Sequence, residues 1–452
     1  MQHKLTFING IFRKIKEREK MNELKFNLQN ECGKMKILHA VNNISPGRCR
    51  SAYREAKIPY ARYHDTGLWP GMGGTHVVDI TGVFPDFSKD VNDPESYDFF
   101  FTDKYVKLTF DAGAEPFYRL GESIEHAAKK YRILTPPDAE KWAQICEHII
   151  MHYTEGWADG FNYNLEYWEI WNEPDCKDQS MWLGTQQEFF DLYEAAATRI
   201  KKRFPNVKIG GPAISQSAFG DLEWAGQFVE YMAKKNVPLD FFSWHIYTNT
   251  TDETVRIATE IREMLDKNGF TETESILNEW NYIKGWKEEF EYSLRQIKGI
   301  KGAAFEGAMI CTCQNTPVDM LMYYDARPSG FNGMFDSYVS DLLKGYYPIK
   351  MYSTLYELGT QVECQNQMKD VYGLGAKNEK GDAAFMIARY EDDDSITEEK
   401  KITVSIKGIE NKSLKCFLVD NETNDYIEDI KTDADGTFEL SMKPNCCFLL
   451  EI

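Results

Sequence analysis

From about residue 35 onward the chain alternates short apolar runs with longer segments whose apolar positions recur at helical spacing. Residues 36–41, 60–65, 115–120, 164–171, 208–212, 240–247, 275–280 and 319–325 read as strands. Most are followed by amphipathic segments: 50–56, 102–112, 138–154, 185–204, 222–235, 252–268, 293–313 and 350–358 read as helices. Thr185-Gln186-Gln187-Glu188 is a capping-box pattern that opens one of them. Eight strands separated by helical sequence predict an α/β fold, a (β/α)8 barrel over 35–360. No glycine-rich G-x-G-x-x-G follows the first strand, so an open dinucleotide-binding sheet is a poor alternative. Gly71-Met72-Gly73-Gly74 lies in a loop without the strand-to-helix context or lysine of a phosphate loop.

Beyond about residue 361 the period changes to two. Strands are expected at 384–390, 402–406, 414–419 and 437–442, joined by acidic turns such as Glu391-Asp392-Asp393-Asp394. This predicts a β-sandwich domain over 361–452. Residues 1–34 form an extension whose stretch 24–28 is expected to add a strand to that domain. Its first twenty residues are basic and carry no continuous apolar run, so they do not read as a secretory signal, and Met21 is an alternative start.

Composition narrows the partners. The chain has 452 residues, long enough for more than one core, with a net charge of −19 from 71 acidic against 52 basic residues. Such a surface repels nucleic acid and anionic membranes, and disfavours polyanionic substrates. Neither partner is expected, nor is a membrane span; self-association is left open. Ten cysteines are scattered without a C-x-x-C pair, which predicts free thiols, a reducing, cytoplasmic setting, and neither a metal nor a redox cofactor.

The polar residues collect at strand ends, where barrel chemistry sits. Two carboxylates stand out: Asn172-Glu173-Pro174 and Asn278-Glu279-Trp280, 106 residues and three βα units apart. Strands so spaced can face each other across a barrel mouth. Glycoside hydrolysis needs a carboxylic acid to protonate the leaving oxygen and a second carboxylate to attack the anomeric carbon or activate water. A separation of about 5–5.5 Å would give the retaining, double-displacement route. A single strand-end glutamate is more often structural, whereas two at the fourth and seventh strands are hard to explain that way. His64 and His245 alone are too few for a metal-dependent barrel hydrolase. Phe117, Trp171, Trp244 and Trp280 read either as sugar-stacking platforms or as barrel filling, and Glu122 is a further pocket candidate.

Trp168-Glu169-Ile170-Trp171-Asn172-Glu173-Pro174-Asp175 resembles the acid/base signature of the clan A barrel glycosidases. Further segments resemble glycoside hydrolase family 39, the β-xylosidase and α-L-iduronidase family: Arg62-Tyr63-His64, Gly210-Gly211-Pro212, Trp244-His245-Ile246-Tyr247, Arg327-Pro328 and Phe331-Asn332-Gly333-Met334-Phe335. The resemblance implies Glu173 as general acid/base and Glu279 as nucleophile. It implies that Asn172 bonds the sugar 2-hydroxyl, that Tyr247 holds Glu279 and that His245 shapes the same pocket. His64 would contact a sugar hydroxyl and Arg62 would pin the strand-end carboxylates. Without the resemblance, His64 fits a satisfied core histidine and Tyr247 simple packing equally well. Iduronidases of the family carry lysine where this chain has Tyr247, so the expected substrate is a β-xyloside or related short oligosaccharide, cut from its end. Arabinose-containing glycans, exopolysaccharides, α-L-iduronides and a non-catalytic sugar-binding role are the alternatives. The loop 67–97 is expected to close one end of the cleft.

Overall fold

The computed structural model describes residues 22–45, 47–66 and 77–452. Gly71-Met72-Gly73-Gly74, much of the cleft-closing loop and the basic stretch 1–20 lie outside the described residues. The chain divides into two compact units: residues 37–286 with 316–341, and residues 1–36 with 287–315 and 342–452.

The second unit opens with β1 (Glu23–Lys34). The first unit is a closed parallel barrel of β2 (Ile37–Asn42), β3 (Tyr60–Arg62), β4 (Glu115–Leu120), β5 (Tyr167–Ile170), β6 (Lys208–Ile214), β7 (Phe241–Thr248), β8 (Glu274–Tyr282) and β9 (Met320–Tyr323), in chain order around the ring. These strands are buried along nearly their whole length, as parallel strands covered on both faces must be. Ala40, Phe117, Tyr167, Phe241, Ile276, Met320 and Met322 pack inside the barrel as one apolar layer. Gly210 lets β6 approach β7: a Cβ there would lie 2.2 Å from the Phe241 carbonyl oxygen. The capping box is present, with the Glu188 amide donating to Thr185 Oγ1 at 3.2 Å and the Thr185 amide donating to Glu188 Oε2 at 2.7 Å.

In the other unit one mixed sheet holds nine strands, in the order β15-β14-β17-β12-β11-β10-β1-β13-β16. They are β10 (Thr360–Asn366), β11 (Val371–Lys377), β12 (Ala383–Arg389), β13 (Lys400–Lys407), β14 (Ser413–Val419), β15 (Asn424–Lys431), β16 (Thr437–Met442) and β17 (Cys446–Glu451), with β1 between β10 and β13. Leu414 and Cys416 near one end of this order and Phe438, Leu440 and Met442 at the other share one apolar cluster, so the sheet curls over its own core as a sandwich does.

Two expectations need correction. The helix expected over 293–313 is two, Phe290–Ile297 and Ile300–Cys313, broken where Gly299 is extended. The division near residue 361 also leaves out helices that pack with the sheet. On Ile300–Cys313, a Cβ at Gly307 would meet Cys447 Sγ at 2.9 Å and Ala388 Cβ at 3.0 Å, so only glycine lets the helix backbone lie that close.

Phe117 belongs to the barrel core rather than to a sugar platform: it is fully buried, 5.0 Å from the Tyr167 ring and 5.2 Å from the Phe241 ring. Phe117→Ala is therefore expected to destabilise the protein by about 3–5 kcal/mol, read as a lowered denaturant midpoint, whereas a ring that only stacked on ligand would leave the midpoint unchanged.

Candidate active site

The site is built where β3, β5, β7 and β8 end. After β5 the chain turns through two left-handed residues, Trp171 at φ 70° and Glu173 at φ 47°, a conformation that costs non-glycine residues energy and needs outside support. Support comes from the Trp171 indole, which donates to the Met181 carbonyl at 2.8 Å, and from the Glu173 amide, which donates to the Ala213 carbonyl at 2.9 Å. From β8, Glu279 meets Glu173 across the mouth. One side-chain atom each from Glu173, His245 and Glu279 lies within 4.8 Å of the other two. His245 Nδ1 sits 2.7 Å from Glu173 Oε1 and 3.5 Å from Glu279 Oε2.

Beneath them lies Arg62, fully buried at the end of β3. Its Nε donates to Glu169 Oε2 at 2.6 Å and its Nη1 to Glu279 Oε1 at 2.8 Å and Asn42 Oδ1 at 3.0 Å. Its Nη2 donates to Asn172 Oδ1 at 2.6 Å. Glu169 also accepts from Ser243 Oγ at 2.7 Å and Asn278 Nδ2 at 2.5 Å. Tyr247 donates its hydroxyl to Glu279 Oε2 at 2.9 Å. Arg62 fixes the Asn172 amide by its oxygen, and among the described residues the buried Asn172 Nδ2 has no hydrogen-bond partner.

This environment separates the two glutamates. Burial pushes the Glu173 carboxyl up to about 7, with Arg62 opposing and the charges of Asp178 and Asp65 adding to the rise. Burial also raises Glu279, opposed by His245, Arg62 and the Tyr247 hydrogen bond, while ionised Glu173 would raise it further. Burial lowers His245 to about 4, so its ring is neutral at pH 7. One carboxyl is thus held protonated near neutrality while the other is bonded directly to a guanidinium. Glu173, His245 and Glu279 have the ligand types a divalent cation could use. Both Glu279 oxygens are already engaged, by Arg62 and Tyr247, and the guanidinium supplies the positive charge a metal would bring.

His64 borders the same mouth. Its amide donates to Asn43 Oδ1 at 3.1 Å, and its ring lies 6.3 Å from that of Tyr324. Tyr324 is in turn 6.4 Å from the Tyr247 ring and 5.9 Å from Phe331, and Trp286 stands edge-on to Tyr247 at 5.2 Å. Three sequence candidates are not brought into this cluster. Phe117 is in the barrel core. Trp280 is fully buried against Tyr323 at 5.5 Å. Glu122 is buried and accepts from the Thr81 amide and hydroxyl at 2.8 and 2.7 Å; burial pushes it up to about 8. Trp171 and Trp244 are likewise buried in the barrel wall. Sequence reasoning gave no role to Glu169, Asn42, Ser243, Asn278 or Trp286. Glu169 carried a signal: an ionisable residue inside a strand otherwise wholly apolar and aromatic must find a buried counter-charge.

Residues 32–337 match the profile of Glycosyl hydrolases family 39. The chain belongs to that family. A beta-xylosidase of Caldicellulosiruptor saccharolyticus is 32% identical over 181 residues, covering 38% of this chain and 35% of the relative. A beta-xylosidase of Geobacillus stearothermophilus is 29% identical over 185 residues, with 38% and 34% covered. The matched region thus spans about a third of the length of these curated relatives. A glucosidase of Croceicoccus marinus shares the fold at TM-score 0.78 and 22% identity, covering 95% of this chain and 98% of that one. A monomeric beta-xylosidase of Caulobacter crescentus does so at 0.70 and 15%, covering 95% and 99%. The fold shared with these two structures takes in both the barrel and the strand-rich C-terminal region.

Arg62 supplies the charge that two buried glutamates need. Arg62→Ala is expected to cost about 3–5 kcal/mol of stability, because it strands buried carboxylates. Arg62→Lys is expected to recover little of it, since one ammonium cannot span four acceptors. Thermal unfolding of the purified variants checks both.

Proposed function

We propose that this family 39 chain is a retaining glycosidase. One observation carries the reading: two carboxyl groups from β5 and β8 approach within 4.8 Å, one raised to about 7 and the other bonded to a buried guanidinium. That approach supports the double-displacement route, in which the two carboxyl groups stand about 5–5.5 Å apart. Glu279 attacks the anomeric carbon and forms a glycosyl ester while Glu173 gives its proton to the departing oxygen. Glu173, now ionised, takes a proton from water, whose oxygen attacks the same carbon, breaks the ester and releases Glu279. The Asn172 amide, held by Arg62, donates to the 2-hydroxyl, an interaction that strengthens in the transition state. Tyr247 keeps the attacking carboxylate in place.

The preferred substrate is a β-xyloside or similar neutral glycoside, taken from the end of a short chain; the curated relatives named above are beta-xylosidases. Tyr247 stands where iduronidases of the family have lysine, and the net charge of −19 disfavours polyanionic sugars. None of the ten cysteines is bridged, which supports a reducing, cytoplasmic setting. No helix among the described residues is long and apolar enough to cross a membrane.

A set of nitrophenyl glycosides covering β-xyloside, β-glucoside, β-galactoside, α-arabinoside and α-iduronide tests the reading, with the β-xyloside expected to be turned over best. Glu279→Ala is expected to reduce kcat by about 10⁴-fold or more, roughly the loss seen when a nucleophile is removed; unchanged turnover would overturn the mechanism. Activity should also fall as pH rises through about 7, because Glu173 must carry a proton to act and its raised carboxyl loses it there. A pH profile of kcat/KM with no alkaline limb between pH 6 and 8, allowing about one unit either side of that value, would contradict the assignment of Glu173.

A further inference from the structure

Asp65 follows His64 directly at the end of β3, and nothing so far accounts for its carboxylate. Its side chain is 16% exposed, yet Oδ1 is buried and has no hydrogen-bond partner among the described residues. A buried carboxylate oxygen without a donor is costly, and such atoms in native proteins are completed by water or ligand. The neighbouring side-chain donors do not complete it. His64 Nε2 is 3.8 Å from Oδ1, too far for a hydrogen bond. Arg327 donates to the Asp65 backbone carbonyl, and its charge is paired with Asp325 Oδ2 at 3.2 Å.

The residue beside it in the chain borders the catalytic mouth. His64, its chain neighbour, has its ring 6.3 Å from Tyr324, which lies 6.4 Å from the Tyr247 that holds Glu279. The negative charge of Asp65 is among the causes that raise both Glu173 and Tyr324.

We infer that Asp65 binds the glycone directly, its partly exposed carboxylate accepting a hydrogen bond from a sugar hydroxyl other than the one held by Asn172. The inference rests on the glycosidase reading. A carboxylate only accepts, so the group it recognises must donate. A neutral, hydroxyl-bearing ring supplies that donor, whereas a uronate would bring a second negative charge against Asp65. This makes Asp65 a determinant of specificity at a position where the conserved chemistry of bond cleavage asks for nothing.

The test uses the full chain, the Asp65→Ala and Asp65→Asn variants, the nitrophenyl glycoside that the wild type turns over best, and its 3-deoxy and 4-deoxy analogues. Asp65→Ala is expected to lower kcat/KM on the parent glycoside by about tenfold or more, the usual effect of losing a hydrogen bond to a charged group. On one of the two deoxy analogues the variant and the wild type should be equal, because the hydroxyl that Asp65 would bind is already gone. A structural role would instead lower activity by the same factor on all three substrates. Asp65→Asn, nearly isosteric, guards against misfolding and should fall between the two on the parent glycoside with an unchanged melting temperature. An Asp65→Ala enzyme within twofold of wild type on the parent, or an equal loss on every analogue, overturns the inference and leaves the glycosidase reading standing. A wild type with no turnover on any parent glycoside overturns both.

Discussion

The site depends on where one guanidinium is placed. Arg62 lies in the barrel interior with no solvent to share its charge, and its side-chain hydrogen bonds end on β2, on β5 and the turn after it, and on β8. A buried ion pair seldom stabilises a fold by itself, because desolvation consumes most of the Coulombic gain. What this one provides is position. The planar fork holds Glu169, Glu279 and the Asn172 amide in one rigid arrangement, so a displacement of any of the three would break a bond to the same group. The polar layer above the apolar core is therefore as constrained as the core itself.

Above that layer the two glutamates are held by different means. Glu279 is fixed through its side chain, by Arg62 and Tyr247. Glu173 is fixed through its backbone, by a left-handed turn tied to Ala213, and its carboxyl lies 2.7 Å from Nδ1 of the neutral His245 ring. In the proposed mechanism, the group that gives and takes a proton has to avoid a fixed counter-charge, which would hold it ionised. The group proposed to attack as an anion benefits from one. Burial raises both carboxyls, and the guanidinium bonded to Glu279 opposes the rise there directly.

Much of this was legible in the chain, for identifiable reasons. The eight barrel strands were readable because parallel strands buried on both faces leave dense apolar runs, and Glu173 and Glu279 because each interrupts such a run at its end. Arg62, His64, Asn172, His245 and Tyr247 became legible through family resemblance rather than spacing. Phe117 and Trp280 misled because a large aromatic side chain has the same sequence signature in a barrel wall as in a binding cleft. Four strands of the curled sheet escaped notice. β15 is exposed along nearly all its length and strongly acidic, so it shows no alternation, and β17 is apolar nearly throughout, so it shows no period. Glu169 and Asn42 were invisible because their partners come from strands far away in sequence.

The strand β1 has a consequence for how the molecule is made. It lies between β10 and β13, pairing through Leu24 with Asn366 on one side and with Val404 on the other. On a ribosome these residues emerge early and their partners emerge only after the whole barrel has been synthesised. Contacts of such long sequence separation form slowly, because the intervening chain must be ordered first. Until then β1 is a single strand with both edges open, the kind of segment that pairs with whatever else is nearby. The barrel can close during synthesis, but the curled sheet is complete only once β13 and the strands after it have been made.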